Sequence, residues 1–475
     1  MTTRTNQMIT RLPGLTLAGL MLLGLILSLT ARSALAEVPK PREPGRPLRG
    51  YELLIRQPFL PPDFDEAVFN DVWQSWPKPL QDQAANATAE ERRRMAMERY
   101  GLTTRPDDNS LDPLQYVVSE STEGKVWTMN CFSCHGGTVF GVPTPGAPNN
   151  RFALQTMTEE LRLTKFKKGK PLSRMDLGAM FIPLGSTHGT TNAVAFGIGL
   201  MSRRDPQLNI IDRLPQRAVH HDMDAPPWWY FYKRPNIYID GFAERGHRGL
   251  MQFTLVPENG PGFYRDHEND FKDIYAYLMS LRPPKYPGVI DYELARSGKD
   301  VFNESCADCH GTYGKDWTYP NRRVPIQEIG TDPVRLAALP VEGRRKYASS
   351  WFAHHGEDDE QNTLIDPDGY VAPPLDGIWA SAPYFHNGSV PTLWHVLNHE
   401  QRPQIWRRTS DKIDAQNMGL EYESVVRIPL DHADIAVRRQ YFDTGKFGKS
   451  NGGHLFPEAL TINQKTAVLE YLKTL

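Results

Sequence analysis

Every cysteine of this 475-residue chain falls in one repeated pattern: Cys131-Phe-Ser-Cys134-His135 and Cys306-Ala-Asp-Cys309-His310. C-x-x-C-H is the attachment sequence for c-type haem. The two thiols form thioethers to the haem vinyl groups, and the adjacent imidazole reaches the iron from one face. Two disulfides would be the ordinary use of four cysteines in an exported chain. Zinc would want two further ligands at each site. The spacing, met twice and using every cysteine, favours haem over both. The expected cofactors are two covalently attached haem c groups, held by Cys131, Cys134, Cys306 and Cys309, with His135 and His310 on the iron.

The N-terminus agrees with that chemistry. Arg4 and Arg11 precede an uncharged run from Leu12 to Ala31, and Ser33-Ala34-Leu35-Ala36 forms a small-residue cleavage site before Glu37. Residues 1–36 therefore read as a secretory signal peptide, cleaved after Ala36. The expected location is periplasmic or otherwise exported, with a membrane attachment only if the segment stays uncleaved. Covalent haem c is assembled outside the cytoplasm, in keeping with such a leader. A net charge of -2 gives no reason to expect a nucleic-acid partner. Mean hydropathy of -0.51 excludes a polytopic membrane protein.

The chain divides around the two motifs. Residues 37–115 are proline-rich and carry a charged helical stretch with Thr88 as N-cap, an extension wrapped on the body. A first haem segment, 116–286, closes with an apolar-periodic helix over 270–281 that Pro283-Pro284 stops. Residues 287–475 form a second, opened by a helix from Tyr292 to Phe302 and closed by one over 463–475. The closing helices, Asp-Ile-Tyr-Ala-Tyr277-Leu278-Met-Ser-Leu281 and Ala-Val-Leu-Glu-Tyr471-Leu472-Lys-Thr-Leu475, form a weak internal repeat. Residues 145–240 are a large insertion holding Gly185-Ser-Thr-His188-Gly and Pro226-Pro227-Trp228-Trp229-Tyr230-Phe231-Tyr232. The paired tryptophans fit an electron relay beside haem, or core packing beneath a loop.

Each half resembles a class I cytochrome c domain: leading helix, C-x-x-C-H-G, loops over the haem, terminal Tyr-Leu helix. The whole chain resembles the di-haem cytochrome c peroxidase superfamily, closest to its rubber-oxygenase-like cytochromes. The stretch Ala382-Pro383-Tyr384-Phe385-His386-Asn387-Gly388-Ser389-Val390-Pro391 carries that likeness, together with Gly452-Gly453-His454. The resemblance implies a mainly α fold of two class I cytochrome c-like domains with long loops and a large insertion in the first.

Sixth iron ligands decide what each haem can do, because a closed haem moves electrons and an open one binds oxygen or peroxide. In class I cytochromes the distal ligand lies just before the last helix, which points to His454 in its glycine-rich loop. The alternatives are His386 and a surface role for His454. The peroxidases use methionine on this haem, and Met418 lies in the corresponding stretch. For the first haem, Met251 or His247 would ligate iron, or Phe253 would cap an open site; His247 and Glu258 would then serve proton transfer. Glu258 also reads as a plain loop acid. Arg245 and Arg248 are candidates for haem propionates or for solvent. His395 and His399 share a helix face, and His220-His221 and His354-His355 read as surface pairs.

These features leave three function classes. One is an exported di-haem redox enzyme, with peroxidase- or oxygenase-type chemistry at one haem and relay by the other, served by a redox partner protein or a small-molecule oxidant. The second is an electron carrier with both haems six-coordinate. The third, a structural or sensing haem module, has no specific support in the sequence.

Overall fold

The computed structural model describes residues 45–107, 111–211, 219–354 and 362–475. The leader, residues 1–36, and His355 lie outside them. Gly45–Leu475 forms one compact unit. Helix α1 (Pro47–Arg56) opens on a proline, whose missing N–H is no loss in a first helical turn, and buries Leu53, Leu54 and Ile55. After strand β1 (Phe64–Asp65), helix α2 (Ala89–Tyr100) starts on a capping box between Thr88 and Glu91. Strands β2 (Tyr116–Ser121) and β3 (Gly124–Met129) form a hairpin, and β1 pairs with the other edge of β3. Helix α3 (Phe132–His135) comes at once after β3. Further on come β4 (Thr190–Thr191) paired with β5 (Met223–Asp224), then α4 (His247–Met251) and α5 (Glu268–Ser280).

Helix α6 (Tyr292–Ser305) runs directly into α7 (Ala307–His310). Strand β6 (Arg323–Pro325) pairs with β7 (Gly369–Val371). A ribbon of β8 (Ile405–Asp414) and β9 (Gly419–Ser424) takes β10 (Tyr441–Asp443) on its other edge. Helix α8 (Ile462–Leu472) closes the chain. No helix of the described residues is long and apolar enough to cross a membrane.

The expectation of a mainly α protein built from two class I cytochrome c-like domains is corrected here. The structure is mixed, 42% helical and 14% strand, with several small sheets. The strands escape a reading of apolar periodicity because most are very short or half-exposed. In β8 the pairing is carried by charge as much as by apolar contact: Arg407 lies opposite Glu423 and is salt-bridged to it. On the buried side Trp406 stacks on Phe442, ring centres 5.5 Å apart.

Two close helix crossings organise the body. Helix α1 crosses α5, and a Cβ on Gly50 would lie 2.1 Å from the Asp273 carbonyl oxygen. Helix α6 crosses α8, and a Cβ on Gly298 would lie 1.8 Å from the Ala467 carbonyl oxygen. Neither approach leaves room for any side chain. The first crossing is locked by Arg46, whose guanidinium meets Asp273 at 2.8 Å and whose backbone N–H donates to the same carboxylate at 2.7 Å. The second stacks Phe302 against Tyr471, ring centres 5.3 Å apart.

Around the crossings lie separate apolar clusters. One holds Leu53, Phe132, Trp228, Met251, Phe271 and Ile274, and Cys131 packs on it. Another holds Phe302, Trp229, Trp379, Tyr384, Trp406 and Tyr471, and Cys306 packs on it. The first cysteine of each pair thus stands on its own cluster. Replacing Gly298 with alanine forces a methyl into backbone, an overpacking cost of about 3 kcal/mol. Its melting temperature is expected to fall by several degrees, and a thermal melt matching the parent would refute the crossing.

Candidate haem-attachment sites

The first site begins at Asn130. Its carboxamide oxygen accepts the N–H of Phe132 at 2.9 Å, and its nitrogen donates to the carbonyls of Leu54 and Leu114, both at 3.0 Å. The start of α3 is thereby pinned to α1. His135 Nδ1 bonds to the carbonyl of Pro226 at 3.0 Å. A carbonyl only accepts, so Nδ1 carries the proton and Nε2 is left as the metal-binding nitrogen. Trp228 stacks on the imidazole, ring centres 4.6 Å apart and planes 25° apart. Thr191, on β4, hydrogen-bonds the Cys134 thiol, and Asp224, on β5, lies beside it. Burial pushes the Asp224 carboxyl well above its usual range.

The second site repeats the arrangement. His310 Nδ1 bonds to the carbonyl of Pro373 at 2.8 Å, again freeing Nε2. The His454 ring centre stands 6.2 Å from that of His310, with planes 63° apart. A ligating imidazole centre stands roughly 3 Å from its metal, so two rings on opposite faces of one metal stand about 6 Å apart. The observed separation fits an iron between them. His454 Nδ1 is buried with no hydrogen-bond partner, and the residue takes φ 53° directly after Gly453 at φ 78°. Burial keeps these imidazoles neutral, which is the ligating form. His454 is pushed down to about 3 with help from His310 and Arg402, His135 to about 4, and His310 below its ordinary value. No disulfide joins the four cysteines. Among the described residues, no group of three or more His, Cys, Asp or Glu is placed to hold a metal ion.

The loop carrying His454 is clamped by Arg402, a residue the sequence did not single out. Its guanidinium donates to the carbonyls of Asn451 at 2.6 Å and Gly453 at 2.8 Å, and on the other side to those of His395 at 2.8 Å and Val396 at 3.3 Å. It also lies over the Phe385 ring at 4.9 Å, and that ring faces His454 at 6.1 Å.

Other candidates are engaged elsewhere. His386 packs on Tyr370, ring centres 4.7 Å apart, and burial beside Arg335 and His221 pushes it down to about 3. Met418 is fully buried in the core. His247 Nε2 is hydrogen-bonded to Glu268 at 2.9 Å, and Met251 is buried in the first apolar cluster. Phe253 is half-exposed and leans on Tyr238 at 6.3 Å. Glu258 forms an ion pair with Arg174 at the surface. Arg245 donates to the carbonyls of Phe231 and Tyr232, and Arg248 to Glu268 and the His354 carbonyl. His395 is buried between Thr392, 2.6 Å away, and Tyr422, 3.2 Å away. His221, expected at the surface, is only 1% exposed.

Comparison with known proteins fits this geometry. Residues 369–407, which include Pro373 and His386, match a family model described as RoxA-like, cytochrome c-like. The match supports a c-type cytochrome, and a cytochrome c-like domain implies covalently bound haem c. It also supports a relationship to the RoxA-like cytochromes. Two proteins of Sinorhizobium fredii (strain NBRC 101917 / NGR234) are also similar. One, the uncharacterized protein y4iJ, is 32% identical over 261 residues, 42% of this chain and 42% of that protein. The other, the uncharacterized protein y4iM, is 30% identical over 200 residues, 38% of this chain and 44% of that protein. The matched stretches thus span less than half the length of either relative.

The buried imidazoles make stability depend on pH. In the unfolded chain they titrate near 6.5, whereas burial holds His247 and His395, which bind Glu268 and Thr392, down to about 4. The unfolded state therefore takes up protons first, so their contribution is intact above pH 6.5 and is lost progressively toward pH 4. Melting temperatures should fall over that window, and a flat profile would contradict neutral burial.

Proposed function

We propose that this chain is an exported di-haem c-type cytochrome that acts as a redox enzyme, with peroxidase- or oxygenase-type chemistry at the first haem and electron relay by the second. The observation that carries the reading is the inequality of the two sites. At the second, His454 stands 6.2 Å from His310, ring centre to ring centre, as a second axial ligand would. At the first, His247 is bound to Glu268 and Met251 is buried in the apolar cluster, which favours an open iron face. When bound, haem supplies one-electron chemistry and, where a coordination position is open, a place for oxygen or peroxide. Export rests on the sequence of residues 1–36, and the partner is a redox protein or a small-molecule oxidant. The alternative is an electron carrier with both haems six-coordinate.

The chain's own residues link the sites. Trp228 stacks on His135 and belongs to the first apolar cluster. Trp229 belongs to the second, and its indole N–H donates to the Asp376 carbonyl at 2.7 Å. Asp376 lies three residues after Pro373, whose carbonyl holds His310. The adjacent tryptophans therefore connect the two proximal histidines through a short packed path, suited to electron transfer.

Two measurements test this. Ferric protein matured with covalent haem should give one high-spin and one low-spin EPR signal, and His454→Ala should convert the low-spin species to high-spin. Two low-spin signals in the parent would favour the carrier. Trp229→Leu should slow electron equilibration between the haems, followed by stopped-flow absorbance, by roughly tenfold or more, leaving both EPR signals in place. An unchanged rate would remove the tryptophans from the path.

A further inference from the structure

Arg402 follows the short helix Leu393–Leu397 and is 8% exposed. Each of its hydrogen bonds ends on a backbone carbonyl. Nε donates to His395 and Nη2 to Val396, both in that helix, and Nη1 donates to Asn451 and to Gly453. Among the described residues no carboxylate is paired with it. Glu458, the acid within electrostatic reach, is engaged by Lys465 and by the N–H of His399. A buried cation held by carbonyls alone is costly. Burial pulls this guanidinium down to about 10, still charged at neutral pH. Neutral amides serve elsewhere in the same loop, where Asn387 donates to the Ser450 carbonyl and Asn451 to that of Pro403, both at 3.0 Å.

The two sides that Arg402 joins belong to the two histidines of the second site. The helix Leu393–Leu397 packs on α8, where Lys465 Nζ reaches the Asn398 side chain at 3.2 Å. Helix α8 crosses α6, and α6 runs into α7, which carries His310. Asn451 and Gly453 belong to the loop that carries His454. In that loop His454 takes φ 53°, a left-handed conformation that a residue with a side chain holds only with outside support. Arg402 gives that support twice. Its Nη1 draws together the two carbonyls that flank Gly452, and its guanidinium lies over Phe385, whose ring faces the His454 imidazole. Phe456 stands against another side of that imidazole, ring centres 5.6 Å apart. Another tie at His454, its N–H on the Ile329 carbonyl at 2.6 Å, leads to a different segment.

We propose that Arg402 is a positioning residue for the second haem: it holds His454 opposite His310, so that the second iron stays closed and relays electrons instead of binding oxygen or peroxide. The proposal rests on the reading of His454 as the second axial ligand and deepens it. The planar fork matters because its donors spread over four carbonyls, whereas the donors of a lysine leave from a single nitrogen.

The test uses the full haem-loaded protein in its ferrous state and follows carbon monoxide binding by stopped-flow absorbance. Carbon monoxide reaches a six-coordinate haem only when the distal ligand lets go, so the slow phase reports how often His454 leaves the second iron. His454→Ala identifies that phase by making it fast. Arg402→Met should speed it by roughly tenfold or more, the loss of a charged hydrogen-bonding group, and leave the first haem's phase in place. Arg402→Lys should fall between the two. Gly50→Ala, which strains the other helix crossing, controls for general loosening and should keep the parent's slow phase. A parent-like slow phase in Arg402→Met, or an equal acceleration in Gly50→Ala, would overturn the assignment and leave Arg402 a tie of the loop alone. A slow phase that survives in His454→Ala would instead defeat the ligand reading, and this inference with it. Should Arg402→Met fail to fold, Arg402→Lys decides: a slow phase at the parent's rate sinks the proposal.

Discussion

The bonds from His135 and His310 to backbone carbonyls anchor the rest of this protein. Both acceptors are the first proline of an Ala-Pro-Pro triplet, Ala225-Pro226-Pro227 and Ala372-Pro373-Pro374. A residue that precedes proline is confined to extended backbone, so the direction of its carbonyl is set before any side chain packs. Each imidazole is thereby given its tautomer and orientation by a stiff strap that arrives from far along the sequence. The residues just after each triplet are constrained as well. Trp228 and Trp229 come directly after the first, and Asp376 soon after the second, so the straps that orient the histidines also bring the tryptophans against the second strap.

The chemistry was more legible in the sequence than the architecture. The attachment motifs and the capped helix at Thr88 need only local spacing, and local spacing survives folding. The helices expected near 270–281, 292–302 and 463–475 appear at Glu268–Ser280, Tyr292–Ser305 and Ile462–Leu472, because apolar periodicity locates an element better than its ends. The strands did not announce themselves, since a ladder with Arg407 facing Glu423 has no apolar alternation to read. The partner of α5 was hidden for another reason. Helix α1 lies within the stretch read as an extension, and the tight fit of Gly50 on Asp273 and the Arg46–Asp273 pair reveal the pairing.

Within the sites, residues that act through backbone carbonyls were out of reach. Arg402 has no motif around it, and its role exists only because residues 395–396 and 451–453 meet in space. The same is true of Asp224, which draws its character from burial. The repeated Ala-Pro-Pro was the one sequence signal of the proximal straps, visible in principle once each C-x-x-C-H is asked where its imidazole finds an acceptor.

The lock between Arg46 and Asp273 joins positions 227 residues apart. The chain emerges from the ribosome N-terminus first, so the first helix of the body, though it meets Asn130 and Phe132 sooner, waits for its main partner α5 until more than half of the chain has been made. Cys131 and Cys134 lie inside that gap. The apolar cluster on which Cys131 packs is therefore completed late, and closing so long a loop is entropically slow. Were haem attached at Cys131 and Cys134 as proposed, its two thioethers would form most readily before that cluster is complete, while the thiols still lie on an unclosed loop.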